Sequence, residues 1–152
     1  MPSTPFDSAI FRDVFAAPAM RETFSDEAAV RRWVEVEVAL AAAEARAGVI
    51  PQAAAEAIRQ AARPDAIDLA KLKTETDLVG YPIVGVVHQL AKQVGEAGRY
   101  VHWGATTQDI MDTATVLQVR EALALVETDL AAIDAALAGL ADRHRRTVMA
   151  GR

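Results

Sequence analysis

Val116-Leu117-Gln118-Val119-Arg120-Glu121-Ala122-Leu123-Ala124-Leu125-Val126-Glu127-Thr128-Asp129-Leu130-Ala131-Ala132-Ile133-Asp134-Ala135-Ala136-Leu137-Ala138-Gly139-Leu140 decides the fold class. Val116, Val119, Leu123, Val126, Leu130, Ile133, Leu137 and Leu140 recur at alternating steps of three and four residues. That mean period of 3.5 is the pattern of helices that supercoil or bundle. No glycine or proline interrupts Thr107 to Leu137, and taken to His144 the helix is about 55 Å long at 1.5 Å per residue. Arg143, His144, Arg145 and Arg146 fall at its end, where positive charge suits the helix dipole. Alanines 124, 131, 135 and 138 flank the stripe and permit close packing on more than one side. A helix this long cannot bury itself against short ones, so it needs partner helices from further chain or from other subunits.

Upstream the pattern is of shorter helices. Asp7–Phe15 and Pro18–Thr23 are two short candidates. Ser25 reads as an N-cap with Asp26 and Glu27 in the first turn, and the helix it opens runs to about Ala47 and stops at Gly48. Val30, Trp33, Val34, Leu40 and Ala41 form its buried face; Glu37 falls among them and is expected to bond to a neighbouring helix. Pro51 opens the next helix and Pro64 ends it. Asp68 to Asp77 is a weak segment of alternating charge. Gly80-Tyr81-Pro82 starts a helix whose apolar line is Ile83, Val86, Val87, Leu90 and Val94, closed by Gly95 and Gly98. His88 lies off that line and reads as a surface or interface residue.

Composition agrees with an all-α chain. Of 152 residues, 33 are alanine, the best helix former, and only 5% are aromatic. A β-sandwich or barrel would need many β-branched strands and frequent turns. The chain has no cysteine, which excludes a thiol nucleophile, a thiolate metal site and a disulfide framework, and fits a cytoplasmic protein. The net charge of −5 gives no support to nucleic-acid binding. The longest apolar run, Leu78 to Val87, is broken by Gly80, Pro82 and Gly85 and cannot span a bilayer. Met1 to Asp7 shows neither the basic nor the apolar region of a signal peptide.

Candidate chemistry gathers in Arg99-Tyr100-Val101-His102-Trp103-Gly104-Ala105-Thr106-Thr107-Gln108-Asp109, just before the long helix. Extending the apolar stripe backwards lands on Asp112 and Asp109, so a core-facing line turns acidic, as at a solvated cleft or a site. Thr106 and Thr107 stand where the free N–H groups of a helix N-terminus collect anions. Thr106-x-x-Asp109 is equally a capping-box pattern, and spacing alone favours the cap. His88, His102 and His144 lack a metal-ligand spacing, no phosphate loop is present, and Ser3, Ser8 and Ser25 sit in no nucleophile context. No complete catalytic set is visible, and no cofactor is expected.

Tyr100-Val101-His102-Trp103-Gly104-Ala105-Thr106-Thr107-Gln108-Asp109-Ile110-Met111-Asp112-Thr113 closely resembles the first signature region of the fumarase/aspartase superfamily. Within it the likeness is to the 3-carboxy-cis,cis-muconate cycloisomerase family and the adenylosuccinate-lyase-like branch. Phe24-Ser25-Asp26-Glu27, Trp33-x-x-Val36-Glu37-x-Ala39-Leu40 and Ala47-Gly48-Val49-Ile50-Pro51 carry it towards the N-terminus. Asp77-Leu78-Val79-Gly80-Tyr81-Pro82 looks like the cycloisomerase Gly-Asn-Pro region with tyrosine for asparagine, and the His-Asp-Val-Val run of adenylosuccinate lyases is lacking.

The resemblance implies a homotetramer with a long central bundle and active sites built from three subunits. It implies an N-terminal helical domain over 1–104, with the signature loop and first bundle helix over 105–152. Thr106 and Thr107 would bind a carboxylate of a small polycarboxylate substrate, with Gln108 beside them; Asp109 matches the signature Asp/Asn and His102 the histidine lining the pocket. The acid/base histidine and the catalytic serine of such enzymes are expected beyond Arg152, so the chain looks like the N-terminal part of one, inactive alone. The implied activity is cycloisomerisation of 3-carboxy-cis,cis-muconate in aromatic degradation. Adenylosuccinate or related C–N lyase activity is the alternative, and a non-catalytic helical oligomerisation module is the reading from another class.

Overall fold

A computed structural model describes residues 4–151; Met1–Ser3 of the leader reading, and Arg152, lie outside them. Among the described residues every regular element is helical. Helices α1 (Arg12–Phe15) and α2 (Pro18–Thr23) lead to α3 (Asp26–Arg46). Of the first short candidate only its last four residues form a helix, whereas the second matches its expected bounds. Ser25 caps α3 by accepting from the Ala28 N–H at 3.1 Å. The other end closes as a Schellman turn: Val49 N–H donates to Glu44 O at 2.8 Å and Gly48 N–H to Ala45 O at 3.1 Å. Gly48 takes the φ of +74° this turn requires, which a side chain would resist.

Helix α4 (Gln52–Ala61) follows, and the chain leaves it at Ala62, two residues before Pro64, which opens a short 3₁₀ turn. The weakly patterned stretch after it is a full helix, α5 (Leu69–Val79), because Asp68 accepts from the N–H groups of Ala70 and Lys71 at 3.0 Å. Helix α6 (Ile83–Val94) holds this region in place. Its Gln89 brackets the Asp68 main chain, accepting from N–H at 2.8 Å and donating to O at 3.2 Å, and Gln93 does the same to Arg63. Ile83, Val86 and Leu90 are fully buried, and His88 is exposed as expected. A 3₁₀ segment, Gly95–Tyr100, continues from α6.

The last helix, α7, runs unbroken from Thr107 to His144. Its first half buries Ile110, Ala114, Gln118 and Ala122, one residue per turn, against α2, α3 and α6. Gln118 reaches from this face to donate to the Thr23 carbonyl at 2.8 Å, and Glu121 pairs with Arg32 of α3. Ile110 and Ala114 belong to the same core as Val30, Val34, Ile58, Ile83 and Leu90. The heptad stripe lies on another face. All eight of its residues are exposed, from Val126 at 41% to Val116 at 65%, and nothing among the described residues covers them. The face that α7 buries within the chain is therefore not the one with the larger side chains.

Candidate functional site

The site segment starts where α6 has ended and the chain must turn back to enter α7. Val101 plugs into the core, and residues 101–104 form a turn whose last member, Gly104, has φ +68°. Tyr100 and Trp103 face each other with ring centroids 5.8 Å apart, tilted by 49°, and the Arg99 guanidinium lies 4.9 Å from the Tyr100 ring centre. This aromatic contact holds the turn from outside, and Val101 anchors it from within.

Helix α7 then begins at a capping box. The Asp109 carboxylate accepts from Thr106 N–H at 2.9 Å, while Asp109 N–H makes its firm bond to the Thr106 carbonyl oxygen at 3.1 Å. Both halves of the box are present, since the Thr106 side chain also faces the Asp109 N–H. Thr106 and Gln108 are exposed, Thr107 is half-buried, and Gln108 donates to Asp112 Oδ1 at 2.6 Å. Asp109 and Asp112 were expected where a core line turns acidic; both are exposed, because the line they continue is itself on the open face of α7.

His102 is placed differently. Its Nδ1 is 2.6 Å from Oε1 of Glu37, whose side chain is completely withdrawn from solvent in the middle of α3. The expected partner of Glu37 was a neighbouring helix; it is instead this loop histidine, because the turn at 101–104 folds back over α3. Burial pushes the Glu37 carboxyl above the usual carboxylate range, and the His102 bond opposes that shift. Glu44, two turns further along α3, is also raised by burial, and its Oε2 has no partner among the described residues.

Between α3 and the start of α7 lies a groove of about 540 Å³. Its walls are apolar, with Val36, Leu40, Val49 and Ile110, and Trp103 closes one side. Glu44, Asp109 and Thr113 supply polar groups. Of the five residues singled out in the sequence, Asp109 lines this groove; Thr106, Thr107 and Gln108 stand beside it at the helix start, and His102 turns inward to Glu37. Glu44 went unnoticed in the sequence. Its signal was the seven-residue step from Val30 to Glu37 to Glu44, two helical turns along one buried face.

The described residues contain no cluster of three or more metal-ligating side chains and no helix long and apolar enough to cross a membrane. A family model described as Lyase matches residues 12–152. The chain is 44% identical over 153 residues to trans-aconitate decarboxylase 1 of Mycosarcoma maydis, covering all of this chain and 31% of that protein. It is 44% identical over 151 residues to 3-carboxy-cis,cis-muconate cycloisomerase of Acinetobacter baylyi, covering 95% of this chain and 34% of that one. The crystal structure of a fumarate lyase from Mesorhizobium sp. BNC1 superposes with a TM-score of 0.88 at 55% identity, over 91% of this chain and 33% of that chain. The chain spans about a third of the length of the curated relatives it matches.

Proposed function

Because the chain belongs to the lyase family of the fumarase/aspartase superfamily, we propose that it is the N-terminal part of a 3-carboxy-cis,cis-muconate cycloisomerase. In this reading the enzyme closes 3-carboxy-cis,cis-muconate to 4-carboxymuconolactone, a proton transfer next to a carboxylate with formation of a C–O bond. The observation that carries it is the start of α7, where Thr106, Thr107 and Gln108 are gathered at the open N-terminus of a 38-residue helix. Free N–H groups and hydroxyls there suit a substrate carboxylate, and the helix dipole favours the negative charge that develops during the reaction. The relatives support the substrate class: trans-aconitate, carboxymuconate and fumarate, the compounds in their names, are all polycarboxylates.

Asp109 fixes the helix start in this scheme, and His102, which turns to Glu37 and is not among the groove's lining residues, is assigned to the pocket by the resemblance alone. The groups that move the proton come from sequence beyond these 152 residues, and active sites are completed by other subunits of a homotetramer. The exposed stripe of α7 supports association, since eight large apolar side chains on one helix stay 41–65% exposed among the described residues. The division into a domain over 1–104 and a bundle segment over 105–152, and a cytoplasmic location, belong to the same reading. Assay of the full-length gene product with 3-carboxy-cis,cis-muconate and with adenylosuccinate tests it. Lactone formation is the expected result; turnover of adenylosuccinate alone would replace the cycloisomerase by a C–N lyase, and turnover of neither, in an intact oligomer, would refute both.

A further inference from the structure

Glu37 has no part in the scheme above, yet its placement is costly. Its side chain is fully enclosed, Oε1 is 2.6 Å from His102 Nδ1, the His102 main-chain N–H also bears on the carboxyl group, and Oε2 has no partner among the described residues. A buried carboxyl group whose only partners come from one residue is unfavourable unless those contacts are strong. His102, on the other side of the contact, has φ of 60°, alone in this among the described non-glycine residues. A residue with a Cβ adopts the left-handed region at a cost, and such residues persist where surroundings over-determine them. Two unfavourable features thus meet in one short contact. The core does not need it, because an aliphatic side chain at position 37 would fill the same space between Val34 and Ala41.

We propose that Glu37 is a positioning residue for His102: its Oε1 accepts the Nδ1 proton, fixes the neutral ring as the Nδ1–H tautomer, and leaves Nε2 as the nitrogen offered to substrate. Nδ1 is turned to an enclosed carboxylate, so Nε2 is the ring nitrogen left without a protein partner among the described residues, and the ring keeps 17% of its surface open. Unprotonated, Nε2 accepts a hydrogen bond or a proton; protonated, it donates to a carboxylate. The inference rests on the reading of His102 as a pocket residue and adds what orients it.

Long-range ¹H–¹⁵N NMR spectra of the 152-residue chain test the tautomer directly, with the His102 signals assigned by their loss in His102→Asn. In the wild type the neutral ring is expected as Nδ1–H. In Glu37→Leu it should revert to Nε2–H, the form an imidazole without partners prefers, with His88 and His144 unchanged. A wild-type ring in the Nε2–H form overturns the proposal even if the leucine variant does not fold. In the full-length enzyme, Glu37→Leu should lower kcat/KM by at least about 10-fold, the lower end of the loss seen when a group that orients a functional histidine is removed. Glu37→Gln, whose amide oxygen still accepts from Nδ1, should recover most of it. Undiminished turnover in Glu37→Leu overturns the proposal. Undiminished turnover in His102→Asn instead removes the pocket reading, and the inference with it, whatever the tautomer.

Discussion

Asp109 and Thr106 separate a stabilising role from a binding one. The firm bond of the α7 cap is the one Asp109 accepts from Thr106 N–H, so Asp109→Ala should cost about 0.5–2 kcal/mol of stability. Thr106→Ala combined with Thr107→Ala removes the Thr106 half of the capping box, worth about 0.5–2 kcal/mol, together with the Thr107 hydroxyl. The double variant should lose no more stability than a cap is worth, yet lose most of the activity of the full-length enzyme. Equal losses of melting temperature and of catalytic efficiency would reduce the threonines to structure. Glu37 gives a pH signature. Its carboxyl is raised above the ordinary 4.5 by burial, opposed by the His102 bond and helped by the nearby Glu44. A raised value means that the stability it contributes is fully present below pH 4.5 and lost as pH rises through the folded value. Glu37→Gln cannot ionise, so melting temperatures measured from pH 4 to 7 should fall further for the wild type than for the variant.

At the scale of elements, close contacts decide more than propensity. Gly98 lies where the 3₁₀ segment crosses α6: an added Cβ would be 2.2 Å from the Ala91 carbonyl oxygen and 2.9 Å from its carbon. Both are main-chain atoms and cannot swing aside. Gly98→Ala should therefore cost about 1–3 kcal/mol, the usual penalty for overpacking, measurable by denaturant unfolding. The same crossing delivers the chain to the site turn, so the loss should also reach the Glu37–His102 contact. Most helix ends were legible because they are written locally: Ser25 as a cap, Gly48 as a terminator, Pro18 and Pro51 at starts. Helix α5 was not, because its face is thin in apolar residues. Its position depends on the Asp68 cap and on Gln89 from α6, a partner 21 residues away.

For the whole molecule, the uncovered stripe of α7 sets the expectation. Eight large apolar residues along one face stay 41–65% exposed among the described residues, so copies should associate through it. Leu130→Asp with Leu137→Asp should convert the assembly to monomers in sedimentation velocity while the helices upstream keep their fold. A well-folded wild-type monomer at micromolar concentration would contradict this. The 152-residue chain on its own should show no turnover of 3-carboxy-cis,cis-muconate. General acid–base groups typically contribute 10²–10⁴-fold each, and none is identified in the chain beyond the His102 ring. Mixing it with the separately expressed remainder of the protein should restore lactone formation where the two parts assemble.

The amino-acid sequence by itself determined the helical class, the unbroken course of α7 and the location of the polar segment before it. Those features depend on short-range periodicity, on caps and on residues adjacent in the chain, which act within a few turns of helix. Only the tertiary structure decided which face of α7 meets its own chain. The sequence makes the Val116–Leu140 stripe conspicuous, yet small residues such as Ala114 and Ala122, together with Gln118, let the helix approach α3 closely enough to pack. Only the tertiary structure, likewise, joined Glu37 to His102 across 65 residues of chain. A buried carboxylate takes whichever donor the fold brings to it, and which donor that is depends on how a distant turn closes, a long-range outcome that no local pattern encodes.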